Sequence, residues 1–113
     1  MNFIMILKVL ASIATVATGL LAFIKPSAAY GFIGLEPSGV RGVSEMRAIF
    51  GGLFIGLGIA PFFLGVNTFR MLGIGYLAIA LARAFSIVFD KSYAQSNIIS
   101  LVTEIILGLI LVV

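Results

Sequence analysis

Four charged residues sit where charge is costly. Glu45, Arg47, Arg83 and Glu104 all fall inside otherwise apolar runs, and an unpaired charge in hydrocarbon costs roughly 2.5–3.5 kcal/mol on insertion scales. Two carboxylates and two guanidiniums cancel formally, and an arginine can hold a carboxylate through two parallel hydrogen bonds. The preferred pairing joins Arg83 to Glu104 and Glu45, with Arg47 in support or turned toward lipid headgroups. Polar neighbours fit the same place. Asn97, Ser100 and Glu104 share one face of a helix, and Tyr76 precedes Arg83 by two helical turns. Such a cluster is either an ion-pair lock that sets helix register or a site that binds a small ligand or carries a proton. Both readings stay open, and Glu45, Arg47, Arg83, Glu104, Tyr76, Asn97 and Ser100 are the candidates for the second.

Several chemistries are excluded by what the chain lacks. It has no Cys, His or Trp, which removes thiolate nucleophiles, disulfide exchange, histidine-ligated haem and conventional zinc sites. No pair among the four carboxylates has calcium-loop spacing. No catalytic residue, metal or cofactor is therefore assigned, and an enzyme, such as an isomerase with a carboxylate as general acid or base, is the weaker reading. The net charge of +3 is scattered rather than clustered. It reads as span-end anchors and headgroup contacts, not as nucleic-acid binding.

Of the 113 residues 62% are hydrophobic and 10% charged, with a mean hydropathy of +1.28. A small soluble domain buries only about 60% of the surface its chain exposes, too little to hide this much apolar area. The expected class is all-α: an integral membrane four-helix bundle, one domain over residues 1–113, with one short interfacial segment between the first and second helices. Apolar periodicity and breakers place spans near 3–24, 42–64, 69–89 and 97–113. The first run reads as a retained span rather than a cleaved signal sequence. In it Lys8 snorkels to the surface, and Lys8, Ser12, Thr15 and Gly19 make a narrow polar stripe suited to helix packing. Pro26 opens the short interfacial helix and Ser38 is expected to cap the second span. Pro61 bends the end of that span, Gly65 stops it, and residues 65–68 turn tightly into the third. Arg83 and Glu104 then lie roughly 10 Å in from the same surface, at about 1.5 Å per residue.

Residues 44–64 organise the chain. Ala48, Gly52, Gly56 and Ala60 recur every four residues, laying small side chains along one side of a helix where a neighbour can approach closely. Glu45 shares that side and Arg47 points away, so Gly52→Leu is expected to disrupt packing. The seam suits contacts within the chain, with a homo-oligomer interface as the other reading.

The segment GVRGVSEMRAIFGGLFIGLGI, preceded by Pro26 and GFIGLEP, resembles a family of small four-helix bacterial membrane proteins of unknown function, broadly DoxX-like. The resemblance rests on Glu45 and Arg47 as an acid-x-Arg pair, then Gly51, Gly52, Gly56 and Gly58, with Arg83 and Glu104 later in the chain. It implies a multi-pass protein of the cell inner membrane with cytoplasmic termini, and it implies no reaction. Lysine and arginine counts alone do not set orientation. The expected function is a binding or accessory bundle for a small lipid-like or quinone-like molecule, with membrane lipid as partner. The alternatives are a proton-coupled small transporter and a structural subunit of a larger membrane complex.

Overall fold

The computed structural model describes residues 2–113, and among these every regular element is helical. We number the helices α1 (Phe3–Ile24), α2 (Pro26–Ile33), α3 (Gly39–Leu64), α4 (Val66–Phe89) and α5 (Gln95–Val112). All but α2 are long and apolar enough to cross a membrane. The expected spans are present, with α3 and α4 each beginning three residues earlier than the hydropathy edges suggest. α2 has Pro26 in its first turn, where a missing N–H costs nothing. Ser38 does stand at the N-cap position of α3, but its side chain makes no capping hydrogen bond.

The chain divides into two compact units. One is Ser12–Gly65, and the other joins the described residues up to Ala11 with Val66–Val113. α1 runs through both.

In the Ser12–Gly65 unit the packing of α1 on α3 follows a different comb from the expected one. Met46–Leu53 is π-helical, so its repeat lengthens from four residues to five. Met46 and Gly51, five apart, are buried together, and Gly58 follows seven residues on. A Cβ on Gly51 would lie 2.9 Å from the Phe23 Cβ, and one on Gly58 would lie 3.0 Å from the Ser12 carbonyl oxygen. These two glycines let the helix backbones meet. Ala48, Gly52 and Gly56 are exposed and Ala60 is half-buried. A Cβ on Gly56 meets nothing within 4 Å. The four-residue seam is thus not the face that meets α1, which is instead the neighbouring face that carries Gly51 and Gly58, seven residues apart. Beyond this contact a small apolar cluster of Ala22, Ala29 and Met46 ties α1, α2 and α3 together.

Arg47 takes up the end of α1. Its Nη1 donates to the carbonyl oxygen of Phe23, one of the last-turn acceptors that a helix cannot satisfy internally. A cation there also faces the negative end of the helix dipole.

In the other unit, α4 and α5 form an antiparallel hairpin crossing at Gly73 and Gly108. A Cβ on Gly73 would lie 2.9 Å from the Gly108 carbonyl oxygen. Phe69, Leu72, Tyr76 and Leu111 make its apolar core, and Ala11 of α1 joins them.

Gly51→Leu and Gly58→Leu should therefore lower the melting temperature sharply in detergent, by the 1–3 kcal/mol typical of overpacking or more, since backbone atoms block the new side chain. Gly52→Leu should melt within about 0.5 kcal/mol of the parent. Equal losses at Gly51 and Gly52 would refute this register.

Candidate functional site

The polar centre of the α4–α5 unit is built outward from the turn that joins the two helices. α4 ends with Lys91 in the left-handed region at φ 56°, and Ser92 N–H donates to the Ile87 carbonyl over 3.1 Å. This is the closing bond of a Schellman-type C-cap, a position where glycine is usual. Asp90, just before it, accepts a 2.7 Å hydrogen bond from the Ser86 hydroxyl. The cap sets Ser92 beside the start of α5. There Asn97 Nδ2 donates to the Ser92 carbonyl at 3.1 Å and to its Oγ at 3.0 Å.

With its amide nitrogen held this way, Asn97 presents Oδ1 to Arg83, whose Nη1 donates to it at 2.8 Å. Two turns further along α5, on the same face, Glu104 takes the rest of the guanidinium. Arg83 Nε donates to Oε1 and Nη2 to Oε2, each at 2.7 Å. This is the side-on fork in which a guanidinium and a carboxylate match edge to edge. Glu104 is buried, at 9% exposure, while the Arg83 side chain retains 28%. A guanidinium carries five N–H donors. Three are used among the described residues, which leaves two on a group whose orientation is already set from two sides.

The other sequence candidates divide clearly. Arg83, Glu104 and Asn97 are brought into one hydrogen-bonded set. Tyr76 lies two turns before Arg83, within the apolar core of the hairpin. Ser100 is half-buried on the Asn97–Glu104 face and takes no part in the hydrogen bonds to Arg83. Glu45 belongs to the Ser12–Gly65 unit and has its partner on its own helix. It accepts from Arg41 Nε at 3.2 Å and Nη2 at 2.9 Å, and the two side chains are 54% and 85% exposed. Because α3 begins at Gly39, Arg41 lies one helical turn before Glu45 on the same helix face. An exposed pair of this kind contributes only about 0.3–0.5 kcal/mol. Arg47 serves the end of α1 instead. Ser92 is the residue that sequence reading missed, because its role comes from the turn geometry and leaves no trace in hydropathy. Among the described residues no group of three or more acidic, Cys or His side chains is placed to hold a metal.

Fold and site together define a small all-helical protein with four span-length apolar helices and a guanidinium–carboxylate pair between the last two. The chain matches the model of the family described as Domain of unknown function (DUF4345) over residues 3–113, and it belongs to that family. No curated protein and no solved structure matches it.

Two outcomes follow from this geometry. Removing one partner strands a buried charge, so Arg83→Leu or Glu104→Leu alone should cost about 3–5 kcal/mol, whereas the double variant should cost less than either. Thermal melting of the three variants in detergent checks this, and additive losses would count against it. Lys91→Gly relieves a left-handed lysine and should raise stability by roughly 1 kcal/mol in the same assay.

Proposed function

We propose that this chain is a multi-pass protein of a bacterial inner membrane that holds the oxygen-bearing head of a small lipophilic molecule, lipid-like or quinone-like, on Arg83. The observation that carries the reading is the pre-oriented guanidinium: Glu104 and Asn97 fix it, and two N–H donors stay unspent on a side chain still 28% exposed. A donor fork already held in place loses little entropy when it meets an acceptor, which favours binding. Surrounding apolar helices suit the tail of such a ligand. A few fixed polar groups within apolar walls are the usual makings of a small-molecule site. The compartment in this reading comes from the DoxX-like pattern of Glu45, Arg47, Gly51, Gly52, Gly56 and Gly58.

The test uses decylubiquinone and oleate as probes, with the full chain in detergent. Either probe should raise the melting temperature saturably. Arg83→Lys keeps the positive charge beside Glu104 but loses the planar fork, and should weaken that effect about tenfold or more. No saturable shift with either probe, or an undiminished one in Arg83→Lys, would leave the pair as a lock on helix register alone.

A further inference from the structure

The guanidinium of Arg83 has one N–H left on each terminal nitrogen. Nε has a single hydrogen, which goes to Glu104 Oε1. Nη2 gives one of its two to Oε2, and Nη1 gives one of its two to Asn97 Oδ1. What those remaining donors can hold depends on the charge already beside them. Glu104 forks onto the guanidinium at 2.7 Å through both oxygens, so the pair is formally neutral. Asp90 and Lys91, in the turn that closes this end of the hairpin, are one of each sign. The formal charge of this end is therefore zero.

A second anion here would meet Glu104 directly. Two acceptors on one nitrogen such as Nη2 stand about 5 Å apart at ordinary hydrogen-bond lengths. Glu104 is buried, at 9% exposure, so little water screens the repulsion between two carboxylates at that spacing. A carbonyl oxygen meets no such opposition, because it offers two lone pairs and carries no net charge. The chain itself supplies one, Asn97 Oδ1, as the third acceptor on this guanidinium.

We propose that the head held at Arg83 is the carbonyl of a neutral molecule, a quinone or an ester, and that Glu104 disfavours an ionised acid. The inference rests on the binding reading above and narrows it to one chemical class. Glu104 then has a second duty besides orienting the guanidinium: it sets specificity by charge. The tail has apolar surface to follow, since Ile79, one turn before Arg83 on the same face of α4, is exposed.

The experiment titrates the full chain in detergent with decylubiquinone, methyl oleate and oleate, at mildly alkaline pH where the fatty acid is ionised. The readout is the melting temperature at each concentration. At least one neutral probe should reach half its effect at a concentration about tenfold or more below that for oleate. Decylubiquinone acting alone of the neutral pair identifies a quinone as the source of the carbonyl, and methyl oleate acting alone identifies an ester. Glu104→Gln removes the repelling charge with little change of shape, so in it oleate should gain about tenfold or more on the neutral probes. Both proteins meet the same probes in the same micelles, so partitioning does not produce that gain. Should Glu104→Gln not fold, the ranking in the parent decides the matter alone. No saturable shift with any probe would remove the binding reading, and this inference with it. Oleate as strong as the best neutral probe in the parent, or a ranking unchanged in Glu104→Gln, would overturn the inference and leave the binding reading standing.

Discussion

A guanidinium inside an apolar helix needs a carboxylate, and the α4–α5 hairpin is arranged around that need. Arg83 and Glu104 come from different helices, so their fork at 2.7 Å holds only if the two backbones run in one register. Gly73 and Gly108 supply the close crossing that brings the helices together. The left-handed Lys91 ends α4 so that Ser92 falls beside Asn97, and Asn97 in turn steadies Arg83. Each part is ordinary alone. Their joint satisfaction makes the buried charge affordable, and a half-satisfied network would be worse than none.

Charges that look alike in the sequence take separate duties for reasons of depth and neighbourhood. Glu45 and Glu104 both sit in long apolar helices. Yet Glu45 is close to the start of α3 and meets an exposed Arg41, while Glu104 lies three turns into α5 and is buried. Arg47 spends its charge on a carbonyl at the end of α1. The π-helical stretch Met46–Leu53 belongs to the same region, in which Gly51 and Gly58, and not Gly52 and Gly56, meet α1. Such bulges are frequent at functional sites, and here the stretch buries Met46 and Gly51, five residues apart.

Toward the turn of the α4–α5 unit, charge is balanced and geometrically tight, and balanced charge of this kind positions a donor rather than calling in a counter-ion.

Composition and hydropathy alone were enough for the helical class and for the number and rough bounds of the span-length helices. Apolar runs of about 20 residues have few other solutions, because every backbone polar group must be satisfied within the segment. The pairing of Arg83 with Glu104 was legible too, since matched depth on helices joined by a short turn leaves each as the other's natural partner. The rest depended on angles that spacing does not carry. Which glycines meet a neighbour turned on which of two adjacent glycine-bearing faces of α3 was set against α1, and both have helical spacing in the sequence. The partner of Glu45 within its own unit turned on three residues at the start of α3, which put Arg41 on the same helix and within its reach. Ser92 entered through the handedness of a single lysine. In each case sequence supplied the groups, and only the tertiary structure, by setting which backbone atoms and helix faces came together, decided their partners.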